Sequence, residues 1–335
     1  MRPPALLMLG LALAGCSGGA APGPAGPGPG EPGELTGNGP YFAEPMFWNR
    51  DVSRAALAPD SASIIAGLRA TGGWGAGDRL RIDFSFDVLG ADAATPRHDF
   101  TPTADFFAPD CDLAPVPLPF GGNLEGEAGY VCTGGGDCHL LVLDEHTGVL
   151  YEMWRADLAG GQLRGGCLAV WDTARAYGGE LRGDHCASAD AAGLPIAPLL
   201  FTADEVAAGE IDHAIRFVLP GDRMGPGYVR PATHALDAAG PANAPPFGVH
   251  LRLRADYPVD ALPSAGAQTV ARALQRYGMY HADRGEVALT AASDRRAAAS
   301  WSGLLGERDL EALDVEDFEV VDHGPRLPLA FSCAR

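Results

Sequence analysis

Acid–base chemistry needs an imidazole or carboxyl beside the reacting atom and a fixed cation where negative charge develops. His139, His213 and His234 can supply the imidazoles, Arg216 and Arg230 the cations, and Asp190 a carboxylate. Asp137 stands two residues before His139, and Ser188 two before Asp190. Tyr228, Arg230 and His234 share one short stretch, and His250, Arg252 and Arg254 alternate along a single strand face. The expectation is a His acting as base near neutral pH, with Arg216 or Arg230 steadying an anionic substrate. A basic strand face gathering Arg216, His250, Arg252 and Arg254 would suit an acidic sugar.

Each of these residues also has a plainer use. His213 alternates with Ile211, Ile215 and Phe217, which suits a core histidine with a hydrogen-bonded ring. Arg252 and Arg254 fit a solvated strand face paired to acids. Asp190 suits the turn before Gly193. Apart from Gly15-Cys-Ser-Gly-Gly19 the sequence contains no GxSxG, and it has no HExxH or P-loop signature and no GxGxxG after a strand. Asp110 and Asp112 match no calcium-loop pattern, and no metal or cofactor is expected.

Strands position most of these residues. Leu80, Ile82, Phe84, Phe86 and Val88 alternate with polar neighbours, which predicts a half-exposed strand. His139–Asp144 and Val149–Trp154 flank Glu145-His-Thr-Gly148 as a hairpin, and further strands are predicted at Cys167–Asp172, 211–217, 249–253 and 318–321. Met279–His281 and Glu286–Thr290 read as a hairpin around 282–285. Residues 91–137, rich in Pro, Gly and Asp, read as loops. A short helix is predicted from Asp60 or Ser61 to Leu68, and Thr202–Glu205 forms a capping box with Gly209 past the helix end. The main helix spans about 265–277, with Val270, Leu274 and Tyr277 on its apolar face and Gly278 as its stop. The fold class predicted is mainly β: an antiparallel β-sandwich or jelly-roll-like domain with one main helix and long loops.

The chain of 335 residues has a formal charge of −19, and all its basic residues are Arg. Such acidity argues against a nucleic-acid partner. Residues 5–14 form an apolar run behind Arg2, too short to span a bilayer. With Leu13-Ala14-Gly15-Cys16 after it, this segment resembles the signal peptide and lipobox of bacterial lipoproteins. That resemblance implies a signal peptide over 1–15, lipidation at Cys16 and a membrane partner reached through the acyl chains. Ser17 after the lipidated Cys, where an Asp holds such proteins at the inner membrane, leans toward the outer membrane. Residues 16–40 then read as a Gly/Pro-rich spacer and 41–335 as a single disulfide-braced domain. With Cys16 lipidated, Cys111, Cys132, Cys138, Cys167, Cys186 and Cys333 remain, an even number that reads as three disulfides outside the cytoplasm. The expected pairs are Cys132–Cys138, Cys167–Cys186 and Cys111–Cys333. A thiol–imidazole metal site at Cys138-His139 and His185-Cys186 is the rival, and no CxxC spacing supports it.

Ser188–Ile196, Asp204–Ile211, His213–Phe217, Tyr277–Met279, Ala282-Asp283 and Asp317–Asp322 resemble a widespread family of exported bacterial proteins without an established activity. The resemblance covers most of residues 45–322 and implies kinship, not catalytic residues. Cys138 departs from it, standing where the family's Asp-x-His triplet has Arg. The function expected is that of a membrane-anchored lipoprotein that binds, and as a further expectation processes, a cell-envelope or environmental glycan. The alternative is a non-enzymatic surface scaffold or adhesion protein.

Overall fold

A computed structural model describes residues 34–36 and 39–335. The expected signal peptide, the lipidation site Cys16 and the spacer up to residue 33 lie outside the described residues. In chain order the strands are β1 (Ile82–Phe86), β2 (Val88–Ala91), β3 (Arg97–His98), β4 (Phe100–Pro102), β5 (Val116–Pro117), β6 (Leu140–Asp144), β7 (Val149–Trp154) and β8 (Asp157–Ala159). They continue as β9 (Gln162–Gly165), β10 (Cys167–Asp172), β11 (Ile215–Leu219), β12 (His250–Leu253), β13 (Met279–Arg284), β14 (Leu289–Ala292) and β15 (Phe318–Val320). The helices are α1 (Ser61–Ala70), the single turn α2 (Gly75–Asp78), α3 (Ala203–Ala208) and α4 (Ala265–Arg276). The described residues are thus mainly β, with four sheets and few helices.

The largest sheet has the order β1-β14-β11-β13-β12-β15, and the second β10-β7-β6-β2. Neither is purely antiparallel, as the sequence pattern had suggested. β1 runs parallel to β14, β11 to β13, and β2 to β6. Alternation of polar and apolar residues reports one exposed face of a strand, not its direction, and the long excursions at 92–139 and 220–278 provide the crossovers that parallel neighbours need.

Two further expectations are corrected. The alternating run from Leu80 to Val88 is not one strand: β1 ends at Phe86, and the chain enters the second sheet at Val88. The pivot is buried Asp87, which accepts from Ser293 Oγ and Asn123 Nδ2 and lies 3.3 Å from Arg295. Likewise, 279–281 and 286–290 do not form a hairpin. β11 lies between β13 and β14, and Gly285 N donates to Leu219 O while Val218 N donates to Ala288 O. All five residues of β11 are buried, so its place is central.

Local signals hold where the partners are near in sequence. Thr202 and Glu205 cap α3 reciprocally, and Gly209 adopts a left-handed conformation past its end. Ser264 Oγ accepts from Ala267 N at the start of α4, which buries Val270 and Leu274. The β6–β7 hairpin pairs in register from Leu140↔Met153 to Asp144↔Val149. Leu141 and Leu150 join the core under the large sheet, whereas Leu140, Val142 and Met153 join a smaller core on the opposite face.

Three disulfides are present: Cys111–Cys167, Cys132–Cys138 and Cys186–Cys333. The local pair matches expectation, while Cys167–Cys186 and Cys111–Cys333 are replaced. Asp112 N donates to Leu168 O, and Val170 N to Asp112 Oδ2, so the loop carrying Cys111 lies along β10 beside Cys167. A bridge between Asp184 and Ala334 brings Cys333 beside Cys186 in the same way.

Candidate functional site

The loop between Cys186 and Ile196 is held from both sides. Ala192 N donates to Ala282 O on β13, while Thr233 N and His234 N both donate to Ala192 O. Ser188 Oγ donates to Leu194 O at 2.6 Å, lies 3.0 Å from Asp190 O and accepts from Asp190 N. Gly193 has φ +75°, and a Cβ there would lie 2.1 Å from Thr233 Oγ1 and 2.6 Å from Cys186 O. Only glycine fits so close an approach in that conformation. Downstream, Glu152 on β7 accepts from Ile196 N, Ala197 N and Trp171 Nε1, and burial pushes its carboxyl up to about 7. The loop is therefore stapled across the gap between the two main sheets.

At that gap lies a cleft of about 480 Å³. β11, β13 and β14 contribute Arg216, Asp283 and Thr290; the facing ends of β7 and β10 contribute Trp154 and Cys167, and His139 stands just before β6. The stapled loop adds Asp190 and Ala191, and the segment after Thr233 adds His234. Phe107, Asp110 and Phe331 complete a third side. Of the residues singled out in the sequence, Asp137, His139, Asp190, Arg216 and His234 meet here. His213 and Arg230 do not line the cleft. His213 is buried against Glu205, and Arg230 pairs with Asp184 at 2.7 Å.

Arg216, expected to steady a substrate anion, is paired within the protein. Nε and Nη2 donate to the two oxygens of Asp190, each at 2.8 Å, and Nη1 lies 3.4 Å from Thr290 Oγ1. Asp283 Oδ2 stands 3.7 Å from Nη2, and the Phe86 ring lies 5.4 Å from the guanidinium carbon. Burial would raise the Asp190 carboxyl, but the attraction and hydrogen bonds of Arg216 outweigh it and hold Asp190 below the usual range. Asp283 moves the other way: burial, and then the neighbouring charge of Asp190, raise it well above the carboxylate range. With the charge of Asp190 beside it, Asp283 holds its proton at a higher pH than an ordinary Asp.

The two cleft histidines also divide. His139 Nδ1 lies 2.6 Å from Glu125 Oε2, and its Nε2 is 3.3 Å from Ala189 O. Both partners are acceptors, so the ring satisfies them only as imidazolium. Burial works against the cation, yet Glu125 raises His139 to about 9. Near neutral pH it is therefore a fixed cation and not the base expected from sequence. His213, between Ala214 O and Glu205, is raised for the same reason. His234 is lowered by burial. Its Nδ1 donates to Ala191 O at 3.0 Å, which leaves Nε2 as the acceptor of a neutral ring. Ala191 N in turn donates toward Asp283 Oδ2 at 3.4 Å. One residue's backbone thus anchors both a neutral imidazole and a protonated carboxyl.

The proposed basic strand face does not form. Arg252 bonds Glu319 and the carbonyls of Val52 and Ala55, Arg254 pairs with Asp256, and His250 donates to Tyr277 O while its ring stacks 4.0 Å from Tyr280. Glu127, Cys132 and Cys138 are the one group among the described residues within joint reach of a metal ion, and both thiols are consumed in a disulfide. Glu125 and the two phenylalanines were not singled out from the sequence, Asp110 was weighed only for calcium, and Asp283 was named only within the resemblance. Their roles depend on neighbours far along the chain; only Glu152, an acid inside the apolar strand Val149–Trp154, carries a local signal. No family model, curated protein or solved structure matches this chain.

Proposed function

We propose that this chain is an exported lipoprotein, tethered through Cys16, whose cleft binds a glycan and hydrolyses it. The reading rests on the cleft having aromatic faces at its mouth and carboxyls along its sides. Phe107, Trp154 and Phe331 offer faces for the apolar C–H surface of a sugar ring, and Asp83 and Asp137 offer acceptors for its hydroxyls. Three disulfides agree with an oxidising compartment. With Arg216 already paired, the cleft suits a neutral or amine-bearing glycan better than the acidic sugar expected from sequence.

Hydrolysis follows from the two groups anchored at Ala191. Asp283 gives its proton to the departing glycosidic oxygen as the C–O bond breaks. His234 Nε2 takes a proton from the water whose oxygen bonds to the anomeric carbon. The products are two shorter sugars with water added across the bond. A screen of polysaccharides for retention and for new reducing ends tests this. On a substrate so found, Asp283→Asn and His234→Ala each lower turnover by on the order of 10² or more, with binding changed only a few-fold. Retention without turnover, unaffected by Asp283→Asn, would instead favour an adhesion protein.

A further inference from the structure

The mouth of the cleft holds an acceptor that the protein does not satisfy. Asp110 is 2% exposed, and its Oδ2 accepts from Ala187 N at 2.7 Å. Its Oδ1 is buried with no hydrogen-bond partner. The nearby guanidinium of Arg182 donates through Nη1 to Ala187 O and through Nη2 to Asp112 Oδ2 and the backbone carbonyl of Asp110, while its Nε is itself buried without a partner. A buried carboxylate oxygen left without a donor is costly, so it marks a place that a ligand's donor would satisfy.

Two rings stand at the same mouth. Phe331 is 71% exposed and Phe107 48%, with centroids 6.3 Å apart, and Phe331 lies 6.3 Å from the His234 ring. Each is tied down close by in sequence, Phe107 by Cys111–Cys167 and Phe331 by Cys186–Cys333. Large apolar rings held at a cleft mouth beside a carboxylate are the components that recognise an organic cation: ring faces attract it, and the carboxylate accepts its N–H. Exposed Asp137 and Glu286 add negative charge to the same cleft, against the exposed Arg284, while Asp105 is paired with Arg155 at 2.7 Å. A metal ion fits less well, since no three ligating groups converge in this cleft among the described residues.

We propose that this corner is a subsite for a protonated primary amine, so that the glycan taken by the cleft carries free amino groups, as a de-N-acetylated hexosamine does. The ammonium donates to Asp110 Oδ1 while the sugar ring lies against Phe107 and Phe331. This deepens the glycan reading and rests on it for the sugar, though not for the amine.

Calorimetric titration at pH 6 of the whole mature protein with a glucosamine tetramer, an N-acetylglucosamine tetramer and cellotetraose separates the possibilities. Cyclohexylammonium and cyclohexanol serve as the matching pair without a sugar. The glucosamine tetramer should bind at least tenfold tighter than either neutral tetramer. Asp110→Asn should bring that preference to within threefold, and Phe331→Ala, at an exposed position, should weaken amine binding several-fold in a protein that still folds. If the three tetramers bind equally, or if neither substitution changes the preference, the amine subsite is overturned and the glycan reading stands. If no tetramer binds but cyclohexylammonium does, dependent on Asp110, the amine subsite stands and the glycan reading falls. If nothing binds, both fall.

Discussion

The two sides of the cleft are built from similar residue types and differ in whether their polar atoms are paired. On one side Arg216 is paired with Asp190 and His139 with Glu125, so charge there is matched within the protein. On the other, Asp110 Oδ1 has no partner, His234 keeps one nitrogen as an acceptor, and Phe107 and Phe331 face solvent. Pairing lowers the cost of burying a charge but removes it from the reach of a ligand. The saturated side is therefore the frame, and the unsaturated side is where recognition takes place.

The largest effect that would break this distinction is on stability. Arg216→Met strands Asp190 as a buried charge and should cost about 3–5 kcal/mol in urea unfolding. Arg230→Met removes a half-exposed pair, with both side chains about 30% accessible, and should cost under about 1 kcal/mol. Equal losses would mean that Arg216 is not the frame's clamp.

The histidines come next, with opposite signs. His139 has a folded value of about 9 against an ordinary 6.5, so its stabilising contribution is complete below pH 6.5 and disappears as pH rises through 9. At about 1.4 kcal/mol per unit this amounts to roughly 3 kcal/mol, and His139→Gln should flatten the alkaline loss measured by unfolding across pH 6–10. His234 is lowered on folding, so its contribution is present above its unfolded value and fades as pH falls below it. His234→Gln should flatten that acid-side loss and leave the alkaline side unchanged. If both substitutions altered the same limb, the assigned protonation states would be wrong. Smallest of all, Phe331→Ala should leave stability within about 0.5 kcal/mol, because a ring so exposed packs little; a larger loss would place Phe331 in the frame.

Sequence reading succeeded where a signal and its partner lie within a few residues. Thr202 with Glu205, the α4 stripe of Val270 and Leu274, Gly148 in the β6–β7 hairpin and the Cys132–Cys138 loop are of that kind. Gly193 and Pro195 also made the stapled loop conspicuous. The signals failed where a distant segment decides the outcome. Nothing local in Asp87 shows that it turns the chain from one sheet to another, and nothing in 279–290 shows that β11 will divide it. Asp283 and His139 illustrate the same limit: their protonation is set by Asp190 and Glu125, 93 and 14 residues away in the chain. The sequence showed which residues could titrate, but the fold decides in which direction.

The position of β11 has a consequence for how the molecule would come apart. A strand from the earlier part of the chain is hydrogen-bonded on both edges to strands from the later part, and Cys186–Cys333 joins the same two parts covalently. Residues 237–243, largely exposed and without regular structure, offer a protease a place to cut between them. A single cut there should leave one band on a non-reducing gel and two on a reducing gel. Even after reduction, the halves should elute as one particle, each holding strands that the other needs to complete its sheet.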